Sequence, residues 1–451
     1  MTVDSAALLK PPGGSSPLHR KHSGSAEDYV DSAKVTGTCD GHVGSMHLPH
    51  CVLNVIMAVL GAGQLTLPYA MKLLGLPLGF FSLCFFTVLS MHSVKTLSIH
   101  ELEFTPSGQC LESYSELVTR MMGISGSLLC QLLLVAYAWG GAVAFLVILK
   151  EQFQFLFHND LAKYCGEEDV GRVLLCIMSL VFLWPLSSRQ DLSFLKSFSW
   201  LGCVAALVIT SITFVGWRYL DEYIEDSSPT PTPTPTLMNL AAALPLLAFS
   251  LNSTWAFIPV LCTLSEKHEK RSRMDQLIFF SNFLIFANYT VLAVCGYMTF
   301  GQEVKANIID SLGHVRWGSW WMSWGVCGAK VFLCIQLALA LPLRFFVARK
   351  TLLEFVGRKT PNGLERACVA FFLVSLATCV ALPQVSLATV LGYVSSICAS
   401  MIIYILPASI DLYFQLPGRG RKFSSLVSLI VGLFVLFGGV YANYAGVAVG
   451  S

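Results

Sequence analysis

The chain has 451 residues, of which 55% are hydrophobic and only 12% charged, and its mean hydropathy is +0.65. Several long apolar segments must therefore lie out of water, which excludes a soluble enzyme. The 29 basic and 27 acidic residues leave a net charge of +2, too little for a nucleic-acid footprint or an acidic partner.

Residues 1–49 are rich in Ser, Gly, Pro and charge with no apolar period, and read as a disordered cytoplasmic tail. A cleavable signal needs a basic start followed by an apolar core, whereas apolar sequence begins only at His50. The tail carries Asp4-Ser5-Ala6-Ala7-Leu8-Leu9, an acidic-dileucine pattern in which Leu8 and Leu9 would engage a sorting adaptor. The plainer reading is a functionless terminus.

Residues 50–451 read as one transmembrane domain of an all-α protein. Runs of about 20 apolar residues fall at 50–71, 76–94, 126–149, 171–186, 198–217, 239–264, 276–300, 319–343, 366–382, 386–409 and 423–445, which makes eleven spans. Two of them, 171–186 and 366–382, are short and need tilting or snorkelling flanks. With the N-terminus inside, 21 of the 29 basic residues fall on the cytoplasmic side, Arg344 among them, seven fall outside, and Lys330 is left within a span. That bias predicts a cytoplasmic N-terminus and a C-terminus on the opposite side. Outer loops fit: Asp221 to Asp226 are acidic, and Ser227 to Thr236 form an extended Pro-Thr repeat. Trp317, Trp320, Trp321 and Trp324 cluster where the eighth span enters, either as an interfacial belt or as core packing.

Most of the 15 cysteines lie in apolar runs, and no CxxC or Cys/His metal spacing occurs. Cys165 is alone in a loop, without a second loop cysteine to pair with. No cofactor or metal is expected. No Asp, Glu or His falls in the interior of any of the eleven spans, His92 near the cytoplasmic end of the second being the deepest, so a Ser-His-Asp or Cys-His arrangement has no plausible members and a membrane enzyme is not expected. Lys330 is the one intramembrane ionisable residue, either shuttling a proton or snorkelling to the headgroups. Asn252-Ser253-Thr254 and Asn288-Tyr289-Thr290 match the glycosylation sequon but sit within spans, out of reach of that machinery.

Two spans contain breaks. The first carries Gly61-Ala62-Gly63 and then Pro68; the sixth carries Pro245 and Pro259 around the polar run Phe249-Ser250-Leu251-Asn252-Ser253-Thr254. Freed backbone groups in hydrocarbon need partners, so such breaks line a cavity or bind something, unless the glycines serve only a close helix contact. Five spans separate the two breaks. Spans 1–5 (about 50–217) and 6–10 (about 239–409) then read as inverted repeats, with span 11 (about 423–445) outside them. Matching interruptions in two halves point to a transporter binding site near the bilayer midplane.

These residues resemble a known family. Gly61-Ala62-Gly63, Leu67-Pro68-Tyr69-Ala70-Met71 and Gly75-Leu76-Pro77-Leu78-Gly79 are similar to the first-span signature of the amino acid/auxin permease family, closest to its sodium-coupled neutral amino acid transporter branch. Pro245…Ala248-Phe249, Gly296-Tyr297-Met298-Thr299-Phe300-Gly301 and Leu341-Pro342-Leu343-Arg344 extend the likeness over about residues 50–445. The resemblance implies a LeuT-like fold of 5+5 inverted repeats plus an eleventh helix, with broken helices 1 and 6. Departures bear on coupling: Met57, Ala338 and Ala340 stand where that branch offers side-chain oxygens, and a sodium ion wants hard oxygen ligands. The branch's sixth-span Cys-His pair reads here as Ser253-Thr254.

The expected function is a secondary active transporter, or symporter, for small, mostly neutral amino acids, proton-coupled or uncoupled in preference to sodium-coupled. An amino acid-sensing receptor or channel on the same fold is the alternative. The N–H groups of Gly61, Ala62 and Gly63, with the half-helix starting at Gln64, would hold the substrate carboxylate. Carbonyls around Leu60 and Phe249 to Asn252, assisted by Ser250 and Asn252, would hold its ammonium. The membrane is expected to be the plasma membrane or an endolysosomal or vacuolar one.

Overall fold

In hydrocarbon a chain must satisfy its own backbone groups, and long apolar runs do so as helices. Every described element of the computed structural model is helical. The structure describes residues 47–104, 114–165, 169–192, 198, 200–219, 235–254, 257, 260, 267–315, 317, 319–358, 361–414 and 419–447. Residues 1–46, with Leu8 and Leu9, most of the acidic and Pro-Thr loop, and Pro259 lie outside them, as does the side chain of Cys165.

The first span is α1 (Leu48–Val59) and α2 (Leu67–Leu74), joined through Leu60, Gly61 and a 3-10 turn over Ala62–Thr66. The second is α3 (Leu76–Phe104), and the third is α4 (Tyr114–Cys165), which turns at Gly123 where φ is +70°. The fourth runs through α5 (Val170–Met178), a π turn at Ser179–Leu183 and α6 (Trp184–Ser187), and the fifth is α7 (Trp200–Arg218). The sixth begins as α8 (Leu237–Ser250), capped by Thr236, whose hydroxyl accepts from the Asn239 N–H. Then come α9 (Lys267–Phe300), a loop helix α10 (Ile308–His314), α11 (Trp320–Phe355) and α12 (Gly363–Ala381). The tenth span is α13 (Leu387–Val394), a π stretch at Ser395–Ile405 and α14 (Leu406–Phe414), and the eleventh is α15 (Arg419–Tyr444).

Nine single helices among the described residues are long and apolar enough to cross a membrane, ten spans in all if the bent first pair counts as one. The sixth span is present as α8, whose 14 residues are too few to cross alone. α8 is buried on every side from Ala241 to Ser250, as a helix at the centre of a bundle must be.

Several helices outrun their apolar segments. α3 continues to Phe104, past the expected end at 94, and α11 to Phe355, past 343. Polar residues there, at the span ends, pack against neighbouring helices. His100, Glu101 and Asp411 are all buried. Asp411 accepts from the Ser425 hydroxyl at 2.6 Å and lies 3.3 Å from His100 Nε2 and 3.4 Å from Arg421 Nε, while His92 Nε2 is 3.2 Å from Ser425 Oγ. Ser, His and Asp thus meet at these ends, tying α3, α14 and α15 together. Ser425 lies between His92 and Asp411, however, so no histidine bridges the hydroxyl to the carboxylate as a triad requires. Arg344 and Arg349, counted as cytoplasmic loop residues, sit within α11; Arg349 donates to the Arg189 carbonyl at 2.9 Å.

Candidate functional site

Pro68 has no N–H to return to Gln64, so the helix cannot run unbroken through the first span and Pro68 falls instead in the first turn of α2. The two halves meet at 58°. Leu60 and Gly61 are extended, and the N–H groups of Gly61 and Gly63 find no acceptor among the described residues. The sixth span stops being helical at Leu251. The two breaks touch: a Cβ on Gly63 would lie 3.0 Å from Phe249 Cδ1 and 3.1 Å from Ser250 Cα, so a side chain there would press the sixth span away.

Hydroxyls bridge the breaks. Ser250 Oγ lies 2.8 Å from the Gly63 carbonyl and 2.9 Å from that of Leu246, and Thr66 donates to the same Gly63 oxygen at 3.0 Å. The seventh span supports the first from behind, with the Tyr289 hydroxyl donating to the Val59 carbonyl at 3.3 Å and the Asn288 amide to Gln64 Oε1 at 3.2 Å. Past the second break, Ser90 donates to the Leu251 carbonyl at 3.0 Å and Ser253 to Asn282 Oδ1 at 3.5 Å. Asn252 is only 3% exposed, and its amide makes no hydrogen bond of full geometry, the Tyr137 hydroxyl being its polar neighbour.

The structure therefore gathers Gly61, Gly63, Gln64, Phe249, Ser250 and Asn252 in one place. Unpaired N–H groups can receive a carboxylate, and the Asn252 oxygen with the lone pairs of Ser250 can receive an ammonium. Leu60 departs from expectation in direction: its carbonyl and Gln336 Nε2 lie 3.6 and 3.2 Å from where a Cβ on Gly202 would stand, on the α7 and α11 side. The Gln64 amide is turned to Asn288, and the side chain of Ala62 is outside the described residues. Tyr137 was missed; its ring stands 5.4 Å from that of Phe249. Only the three-dimensional pairing of spans three and six reveals it.

Lys330 is not at the breaks. Its side chain is fully buried: Nζ lies 3.2 Å from the centre of the Phe155 ring and against Gly313 of α10, with no hydrogen-bond partner among the described residues. The four tryptophans divide. Trp320, Trp321 and Trp324 are exposed as a belt would be, whereas Trp317 is buried and donates to the Leu312 carbonyl at 3.0 Å.

Known proteins share this fold. Solved structures with the same fold include a manganese transporter mutant from Eremococcus coleocola, 12% identical, covering 91% of this chain and 92% of that one with a TM-score of 0.57. MhsT in complex with L-phenylalanine is 10% identical, covering 90% and 99%, with a TM-score of 0.50. The fold is the LeuT-like one expected from the broken spans. In sequence, cattle (Bos taurus) and mouse (Mus musculus) proteins that carry the name sodium-coupled neutral amino acid transporter 11 are each 24% identical, over 85% and 91% of this chain and 80% and 87% of their own lengths. The family model described as transmembrane amino acid transporter protein matches residues 46–445, and the chain belongs to that family.

Proposed function

We propose that this chain is a secondary active transporter moving small, mostly neutral amino acids by alternating access, coupled to protons or uncoupled rather than driven by sodium. The observation that carries the reading is the pairing of unsatisfied N–H groups at Gly61 and Gly63 with the incompletely bonded amide of Asn252, opposite charges of a zwitterion having a taker on each side of one gap. A buried polar group without a partner costs about 1–3 kcal/mol, and a substrate that satisfies several at once recovers that cost.

Sodium coupling belongs to the name of the cattle and mouse relatives. Against it here stand Met57, Ala338 and Ala340, none of which offers an oxygen from its side chain. Lys330, buried against Phe155 and Gly313, is the candidate proton carrier. The protein would work in the plasma membrane or an endolysosomal or vacuolar membrane with its N-terminus in the cytoplasm, and Leu8 and Leu9 would be read by a sorting adaptor.

Uptake of labelled alanine into proteoliposomes, with and without an imposed pH gradient, tests the reading. Saturable uptake supports it. Binding without uptake would move the chain to the sensing or channel class.

A further inference from the structure

A charge inside a membrane bundle needs a partner or water. Most have one here: Lys150 donates to the Ala381 carbonyl at 2.7 Å, Glu151 accepts from Asn307 at 3.1 Å, and Asp411 holds Ser425 and His100. Two lack one among the described residues: Lys330, seated on the Phe155 ring, and Arg344. Among the described residues no carboxylate pairs with it and no acceptor takes its N–H groups; its contact is the face of Phe145, 4.2 Å from Cζ to the ring centre.

Its depth follows from the packing of α11 on α4. Lys330 meets Phe155, and fourteen residues further along α11, Arg344 Nη1 lies against Gly141, fourteen residues back along α4. The two helices run antiparallel in register, so Arg344 lies about 21 Å of helix rise from Lys330. That is the level of Tyr137 to Phe145, the middle of the third span rather than its cytoplasmic end. A Cβ at 141 would collide with Nη1 and force the guanidinium to shift.

Two residues connect this cation to the gap. Tyr137 lies one helical turn before Gly141 on the same face of α4, where the guanidinium rests, and its ring stands tilted against Phe249 with centres 5.4 Å apart. Asn252 is buried beside Tyr137, its amide facing the Tyr137 hydroxyl without a hydrogen bond of full geometry. A planar guanidinium offers five donors in a fork that matches a carboxylate, and it repels a second cation.

The geometry points to Arg344 as an anion subsite beside the Gly61–Gly63 gap, taking the side-chain carboxylate of an acidic amino acid, so that dicarboxylic substrates are accepted along with neutral ones. This rests on the reading that an amino acid binds at the breaks. The test is competition against labelled alanine uptake by glutamate and by its neutral isostere glutamine, using the full chain in proteoliposomes. Glutamate is expected to compete in the wild type. Arg344→Gln should lower the glutamate-to-glutamine affinity ratio about tenfold, the worth of one charged hydrogen-bonding contact. Gly141→Ala keeps the charge but displaces the guanidinium, and should move the ratio the same way; it carries the test if the arginine variant fails to fold.

Glutamate inert in the wild type, or an unchanged ratio in both variants, overturns the subsite while saturable alanine uptake leaves the transporter reading standing. Absence of saturable alanine uptake in the wild type overturns that reading and the subsite with it. Replacing chloride by gluconate separates the other source of negative charge: alanine uptake that falls in the wild type but not in Arg344→Gln would assign Arg344 to an inorganic anion and overturn the proposal.

Discussion

Asn252 and Gly63 are the residues at which stability and function part company. A buried amide without a hydrogen bond of full geometry is a standing cost in the empty protein, so Asn252→Ala should leave thermal stability unchanged or raise it while weakening substrate. A melting curve in detergent with and without alanine checks both halves: the variant should melt no lower than wild type alone, and should lose most of the shift that alanine produces. Gly63→Val acts by volume. With Phe249 and Ser250 already at 3.0 and 3.1 Å from the first carbon, overpacking of about 1–3 kcal/mol should separate the breaks and abolish uptake in protein that still reaches the membrane, measured per surface-labelled molecule. Normal uptake by that variant would place the substrate elsewhere.

Helices are joined at one end by polar contacts as well as by apolar packing. Asp411 of α14 gathers Ser425 and Arg421 from α15 and His100 from α3, and taking away the carboxylate strands buried partners. Asp411→Ala should destabilise by about 3–5 kcal/mol, seen as a lower melting temperature, whereas Ser425→Ala, which removes one neutral donor, should cost about 1 kcal/mol. The reversed order would mean that the cluster does not hold α15. None of this was legible in the sequence, because His100 and Asp411 are 311 positions apart and each falls just past an apolar run. The breaks were legible, since Gly-x-Gly, Pro68 and the polar run after Phe249 act locally. The position of Arg344 was not: a basic residue just beyond a hydrophobic segment reads as a loop residue, and only the register of α11 on α4 brings it back into the bundle.

At the scale of the whole molecule the question is what drives the cycle. Replacing external sodium by choline should change alanine uptake little, and raising external pH should slow it; a strict sodium requirement would overturn the coupling proposal. Lys330→Met should flatten the pH dependence if the lysine carries the proton. Its seat between α4, α10 and α11 gives a different outcome if it serves only as packing: the variant then keeps the pH dependence. Lysine and arginine should compete poorly with alanine, because the site offers them no carboxylate and sets Arg344 nearby. Arginine as the preferred competitor would reject this arrangement.

The hydroxyl bridge between the breaks has a further consequence, in how the two halves can come apart. Ser250 already reaches a second acceptor in its own helix, the Leu246 carbonyl, and the Gly63 carbonyl already has a second donor in its own span, Thr66. If the first and sixth spans separate, each side keeps a bond and no polar group is orphaned. What is forfeited is one shared contact, about 0.5–1.5 kcal/mol, within reach of thermal motion. The seam is thus perforated in advance, and a small bound molecule bridging it could decide whether it stays closed.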